Sequence, residues 1–590
     1  MYYCKYNYRR SFLYCADLVF FNLMQRIDFF SRITLRDTAR WMALFLFVFS
    51  LSLGSKVYAV SLNHTPDRQI ADAILKKVYP ACIKLYGIDS LTKRQNAAPF
   101  SAVVVSSEGH ILTVAHATKP GNLYRVLFPD GKEGMARALG RLVTDSSTNL
   151  PDVAMMKMEG ERSWPYAEMG WSSSLAENQL CFGWSYPETL LLNQPFLRIG
   201  RILNPLDAYG FVQSSCIMEP GDSGGPLFDA LGRVVALHSR IDGPEGRNYE
   251  VPINIYRRYW SALQKNEGID QYPTTEDPIG LDPLIKELHA QPMANRIEKS
   301  RRKSLPVFTI TSTINADSVQ ILGTGFSLPK NKQVIVTKST LVGQYPVLKY
   351  GKKEYALKVL ARDKTNDLIA LQAPVKLRET IRWTSIADDV LTTDDVGRRI
   401  WTAISPAEIK NGVVGMAPLN MPAWQSSGSI SAQLQEINGL PTILHVDSLG
   451  PAYIAGLQKD DKIVLLNGND VASAEKINKE FMNYFPGDTV RVSWIRGEDS
   501  LASDLVLTNK LLRENNHPAN NIQGGKSIRR DGFPSVFLHD SRIHSYECGS
   551  PIFNAYGKCV GLNIARYSHT ASLAIPAQVL LAFLQNEELE

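Results

Sequence analysis

The sequence is short of cysteine, of long apolar runs and of any extended block of one charge. Its 590 residues hold only seven cysteines, too few for a disulfide scaffold in a chain of this length, and no Cys-x-x-Cys pair marks a zinc or redox site. Setting aside Cys4 and Cys15 near the start leaves Cys82, Cys181, Cys216, Cys548 and Cys559. At most two bridges can form among these, and spacing does not pair them. The apolar run Met42 to Leu53, about 12 residues at about 1.5 Å each, falls short of a bilayer core of about 30 Å. With Arg36 and Arg40 before it and Val57-Tyr58-Ala59 after it, it reads as a cleaved secretory signal. The mature chain is expected to begin near Val60, in an extracytoplasmic compartment, periplasmic or secreted. Met24 would give a conventional basic n-region, which points to a translation start there.

The formal charge is +6, yet residues 1–60 carry eight Lys or Arg against three Asp, so the rest of the chain is nearly neutral. No clustered basic face calls for a nucleic-acid partner, and Arg301-Arg302-Lys303 reads as a solvated linker. At 44% hydrophobic and 21% charged residues, the composition excludes collagen-like, coiled-coil and disordered classes. At roughly 100–200 residues per domain the length implies roughly three to five units.

What the sequence does contain is an internal repeat. GDSGGPLFDALGRVVALH, Gly221 to His238, aligns without a gap on YECGSPIFNAYGKCVGLN, Tyr546 to Asn563, with seven of eighteen positions identical. ALGRLVTD before Asp152 matches ALKVLARD before Asp367, and ILTVAHAT matches VIVTKSTL. Both copies consist of short apolar runs separated by Gly, Asp and Asn turns at roughly 8–12-residue spacing, the pattern of an all-β barrel or sandwich. The first copy spans about residues 60–265, a Pro-containing linker 266–305, and the second copy 306–423 plus 509–590. Residues 424–508 have a pattern of their own: strand PTILHV, SLGPAYIAGLQKDDKIVLLNGNDV, a helix around AEKINKEFMNYF, then strand TVRVSWIRG. They form a module inserted into the second copy.

Gly221-Asp222-Ser223-Gly224-Gly225-Pro226 carries the chemistry. A serine hydroxyl is a poor nucleophile unless a base takes its proton and donors await the oxyanion. Glycines around Ser223 allow a sharp turn that aims the Gly221 and Ser223 amides at one spot. His116, ending a hydrophobic strand, is the candidate base. Asp152, opening another, is the candidate carboxylate that fixes its tautomer. Each alone has a bland reading as a structural histidine or a turn aspartate; the order His, Asp, Ser lifts all three.

TVAH with His116, DVAMM with Asp152 and GDSGGP with Ser223 resemble the trypsin-like serine proteases. The 424–508 insert is similar to a PDZ domain, and the combination resembles the HtrA/Deg type of extracytoplasmic quality-control protease. The resemblance implies a mainly β fold: a double β-barrel, repeated as a degenerate copy that carries a PDZ-like α+β module. It implies a Ser-His-Asp serine endopeptidase acting on unfolded or partly folded polypeptides, without metal or organic cofactor. It also implies a substrate pocket walled by Ile217, Met218 and Ile241, which suits small aliphatic residues. A peptide ligand of the PDZ-like module is a further implied partner, and the oligomeric state is open.

The chain departs from the family pattern in its second copy. Thr340, Asp367 and Cys548 stand at the three reactive positions and Tyr546 replaces Gly221. A thiol without an imidazole lacks the base that makes a thiolate, so this copy is expected to be a pseudoprotease, although His544 is near in sequence. In the PDZ-like module Ser429-Ile430-Ser431-Ala432 replaces the usual Gly-containing carboxylate loop, and Asp460 replaces a glycine. The competing reading is a non-enzymatic peptide-binding scaffold or chaperone with a latent protease site.

Overall fold

The computed structural model describes residues 70–586 apart from 71, 90–91, 93, 143–150, 243–245, 292–303, 315–316, 389, 472, 511–516 and 521. The expected signal segment and Arg301-Arg302-Lys303 lie outside the described residues.

The fold is mainly β. The first six strands are β1 (Cys82–Gly87), β2 (Phe100–Val104), β3 (His110–Thr113), β4 (Leu123–Leu127), β5 (Glu133–Leu142) and β6 (Ala154–Met158). They pair in the order β5-β4-β1-β2-β3-β6, and a second pairing of β5 with β6 closes the ring. β2 and β3 are buried at every position, which is why SAVVV and HILTV run as continuous apolar stretches without polar alternation. Next come β7 (Leu180–Ser185), β8 (Phe196–Asn204), β9 (Gln213–Ser214), β10 (Pro226–Asp229), β11 (Val234–Ile241) and β12 (Asn248–Pro252). Their order is β12-β11-β10-β7-β8-β9, with a bridge from Val212 to Glu250 joining the two ends. β13 (Gly268–Ile269) adds to β5.

The pattern then recurs. β14 (Val307–Ile314), β15 (Asp317–Ser327), β16 (Gln333–Lys338), β17 (Gln344–Tyr350), β18 (Lys353–Ala356), β19 (Lys358–Asp363) and β20 (Leu368–Gln372) order as β18-β17-β14-β15-β16-β20-β19. β18 and β19 take the place of β5, separated at Leu357. β21 (Ile381–Arg382) pairs with β15, and β22 (Arg399–Ala403) and β23 (Ile409–Met421) open a further barrel.

Before that barrel closes, the chain makes a sheet of its own. β24 (Ala432–Ile437), β25 (Leu440–Val446), β26 (Lys462–Leu466), β27 (Asn469–Asp470), β28 (Thr489–Arg496) and β29 (Asp499–Val506) have the path β24-β25-β26-β28-β29, with β27 on β26. The helix Ala474–Phe481 buries Ile477 and Phe481, four residues apart on one face, against it. Ser473 caps that helix, its Oγ accepting the Lys476 N–H at 3.1 Å. Asp460, at a position that in the family is usually glycine, has φ +71°, a left-handed conformation that costs a non-glycine residue energy. Then β30 (Phe533–His539), β31 (Pro551–Phe553), β32 (Cys559–Arg566) and β33 (Ser572–Pro576) complete a closed barrel, β22-β23-β30-β33-β32-β31. This is the strand order of the second barrel, with the extra sheet lying between the equivalents of β8 and β9.

The two copies share a core. Leu190 and Phe196 of the first belong to the same buried cluster as Val414, Leu538 and Tyr567 of the second, and Tyr567 Oη donates to the Thr189 carbonyl at 2.7 Å. Burying side chains of this size contributes roughly 1.5–3 kcal/mol each. The five cysteines from Cys82 onward are free thiols; those of Cys181 and Cys216 stand 3.9 Å apart.

Candidate active site

Asp152 sits just before β6, where its short side chain is only 5% exposed. Its Oδ1 accepts the backbone N–H of His116 at 2.9 Å, and its Oδ2 accepts His116 Nδ1 at 2.7 Å. A second donor, the hydroxyl of Ser239 on β11, reaches the same Oδ2 at 2.7 Å. Burial pushes the Asp152 carboxyl up, but the bonds from His116 and Ser239 outweigh that and hold it below its usual value. His116 follows β3 in the single turn Ala115–Ala117, with 47% of its side chain exposed. Because a carboxylate only accepts, the proton lies on Nδ1 and the Nε2 lone pair is available. Burial lowers the imidazole's affinity for protons, yet the hydrogen bond and charge of Asp152 more than offset this and raise it above the ordinary histidine value.

Ser223 is half-buried in a turn that only glycine permits at two places. Gly221 has φ +95°, and a Cβ there would come to 2.5 Å from the Tyr186 carbonyl oxygen. Gly224 has φ +81°, and its Cβ would overlap Thr113 Oγ1 and the Ser101 carbonyl. Ser101 on β2 fixes the turn from the other barrel: its N–H donates to the Ser223 carbonyl at 3.0 Å and its hydroxyl to the Gly221 carbonyl at 2.7 Å. Among the described residues, neither the Gly221 nor the Ser223 N–H donates a hydrogen bond. Two unspent amides beside a hydroxyl are what an oxyanion requires. No hydrogen bond joins Ser223 Oγ to His116 among the described residues. The turn nonetheless abuts Thr113, three residues before His116, so the hydroxyl and the imidazole belong to contacting segments.

Beneath the turn lies a buried ion pair. Arg198 of β8 reaches Asp222 through Nη1 at 2.5 Å and Nη2 at 2.8 Å, and Ser185 Oγ donates to the same carboxylate at 2.8 Å. Asp222 also accepts the Glu219 N–H at 2.8 Å. Glu219 in turn bonds to Thr189 Oγ1, and its Oε2 accepts the Thr570 N–H of the second copy at 3.3 Å. Burial, and then the nearby Asp222 charge, push the Glu219 carboxyl up. Of the expected pocket residues, Ile217 and Met218 are buried and Ile241 is half-buried. The Ile217 carbonyl accepts Arg198 Nη1 at 2.9 Å, while Met218 N–H donates to Asn248 Oδ1 at 3.2 Å.

In the second copy Asp367 accepts the Thr340 N–H at 2.7 Å and the Thr340 hydroxyl at 2.8 Å. Lys338 Nζ also lies on Asp367, at 2.5 Å, and donates to the Arg529 carbonyl at 2.9 Å. Cys548 is fully buried, its sulfur 3.6 Å from Ser527 Oγ, and burial pushes its thiol up despite the opposing charge of Lys338. The Cys548 N–H is spent on the Ser545 carbonyl at 3.4 Å.

Sequence reasoning missed Ser239, Arg198, Glu219 and Lys338. A serine in RVVALHS has no signal of its own, whereas Arg198 within FLRIGRIL and Lys338 within VIVTK are charges inside buried strands, which demand a buried partner.

Two family models match the chain: a trypsin-like peptidase domain over residues 100–237 and a PDZ domain over residues 428–507. A probable periplasmic serine endoprotease, DegP-like, of Pseudomonas putida (strain GB-1) is 26% identical over 400 residues, covering 64% of this chain and 72% of that relative. The protein of the same description from Pseudomonas savastanoi pv. phaseolicola is 24% identical over 398 residues, covering 66% and 74%. Among solved structures, that of the serine endoprotease from Yersinia pestis aligns at 14% identity and TM-score 0.28, over 75% of this chain and 98% of that one. The trypsin-like domain and the strand order around its catalytic-type turn define a serine-type hydrolase. The PDZ domain and the DegP-like relatives, with the trypsin-like domain, support a serine protease similar to the HtrA/Deg type.

Proposed function

We propose that the chain is an extracytoplasmic endopeptidase that cleaves unfolded or partly folded polypeptides with Ser223, His116 and Asp152, in protein quality control. In this mechanism His116 Nε2 takes the Ser223 proton as Oγ attacks the peptide carbonyl, and the Gly221 and Ser223 amides hold the oxyanion. His116 then protonates the leaving amine, and water repeats the cycle on the acyl-enzyme. The observation that carries this reading is the pair of uncommitted amides at Gly221 and Ser223 beside a histidine whose tautomer is fixed by Asp152. Hydrogen bonds between nucleophile and base commonly tighten only when substrate binds.

Ile217, Met218 and Ile241 favour a small aliphatic residue before the scissile bond, since no carboxylate stands there to select Lys or Arg. Residues 60–265 form the active domain, and 306–423 with 509–590 a copy that does not cleave. The 424–508 module takes an extended peptide along the open edge of β24. The periplasmic relatives and the apolar run at residues 42–53 support the compartment. The test is cleavage of an unfolded protein by the purified chain and by Ser223→Ala: the parent degrades it and the variant does not. Degradation that survives Ser223→Ala refutes the assignment and favours neither barrel as the site of a Ser223-dependent reaction.

A further inference from the structure

Where the two copies meet, a cavity of about 930 Å³ opens between β8 and residues 215–217 on one side and β23 with residues 540–544 on the other. Its walls are equivalent segments of the two copies. The alignment that sets Gly221 on Tyr546 sets Ser215 on Asp540 and Ile217 on Arg542. Strand register sets Arg198 on Lys410: Arg198 faces Gly183, which faces Leu227, and Lys410 faces Thr402, which faces Ile552. Each copy thus lends the cavity the cation that holds the acidic residue next to its nucleophile position, Arg198 on Asp222 at 2.5 Å and Lys410 on Glu547 at 2.8 Å.

Four more cations, Arg201, Arg399, Arg542 and Arg566, line the same space. Among the described residues the lining holds one carboxylate, Asp540, whose oxygens accept the N–H groups of Val413 at 2.7 Å and Ile199 at 3.0 Å. Asp222 pairs with Arg198 and Glu547 with Lys410, and with Asp540 three carboxylates stand against six cations, so these named side chains carry more positive than negative charge. The Nε of Arg198 is buried without a hydrogen-bond partner. Like charges gathered in a concave, low-dielectric space repel one another, and guanidinium groups are matched in shape and charge to phosphoryl oxygens.

We propose that this cavity binds a small phosphoryl-bearing polyanion between the two copies. The cavity shares Ile217 with the expected substrate pocket and Arg198 with the nucleophile turn, but its ligand does not depend on the peptidase reading. The test is calorimetric titration of the purified full chain with inorganic pyrophosphate at about 150 mM salt, where long-range attraction is screened. The expected result is saturable binding, one site per chain, weakened about tenfold by Arg542→Gln and by Arg201→Gln, a difference of about one decade in Kd. Arg491→Gln, on the PDZ sheet away from the cavity, leaves it unchanged, and equal melting temperatures establish that all three variants are folded. Sedimentation with phosphatidylglycerol vesicles that is lost in Arg542→Gln assigns the phosphoryl group to a lipid; pyrophosphate binding without sedimentation assigns it to a soluble anion. Absence of saturable binding, equal weakening by Arg491→Gln, or citrate binding as tightly as pyrophosphate overturns the proposal.

Discussion

In the first copy Asp152 holds the His116 N–H at 2.9 Å and its ring at 2.7 Å; in the second, Asp367 holds the Thr340 N–H at 2.7 Å and its hydroxyl at 2.8 Å. The backbone frame is kept while an imidazole is exchanged for a threonine hydroxyl. The third bond to the carboxylate also changes hands, from a neutral hydroxyl, Ser239, to a buried ammonium, Lys338. At the nucleophile turn the difference is conformational. Gly221 at φ +95° leaves the Ser223 amide unspent, whereas the turn Ser545–Glu547, entered with Tyr546 in place of that glycine, directs the Cys548 amide at the Ser545 carbonyl. The second copy thus keeps the hydrogen-bonded frame and the glycine turn at Gly549, while Tyr546 stands in place of Gly221 and Thr340 in place of His116.

His116→Ala is expected to break the asymmetry most severely, lowering kcat/KM on a peptide substrate by about 10⁴-fold, with no change in the melting temperature. Gly221→Ala is next, because its Cβ meets the Tyr186 carbonyl at 2.5 Å and would reorient the proposed oxyanion donor; kcat should fall about 100-fold or more. Ser239→Ala removes one of three bonds to Asp152 and should lower kcat about tenfold with KM little changed. The pH profile sharpens the same point. The folded His116 has a raised affinity for protons, and in the proposed mechanism its neutral form acts as base, so kcat/KM should decline as pH falls through a value above that of a free histidine. Asp152→Asn should move that limb to lower pH. The smallest effect is expected of Thr340→His in the second copy, which should create no labelling of Cys548 by a thiol-directed substrate analogue. Lys338 already occupies Asp367 and the thiol is buried.

The duplication and the nucleophile turn were legible in the sequence because they rest on local demands. Glycines that must adopt positive φ cannot drift, and strands buried on both faces must stay apolar, so Gly224 and Gly549, at φ +81° and +94°, align without a gap. Ser239, Arg198 and Lys338 were not legible, since each acts through a partner far along the chain: 87 residues separate Ser239 from Asp152 and 24 separate Arg198 from Asp222. Nor was the packing of β8 against β23 at the junction of the copies, a property of how two similar barrels dock rather than of either segment.

The most direct test of the central claim, that one copy carries the whole reactive centre, is to treat the full chain with a fluorophosphonate and map the adduct by mass spectrometry. A single adduct on Ser223, abolished by His116→Ala, is the predicted result. An adduct on another residue, or none on Ser223 under conditions where the chain degrades an unfolded substrate, would contradict it.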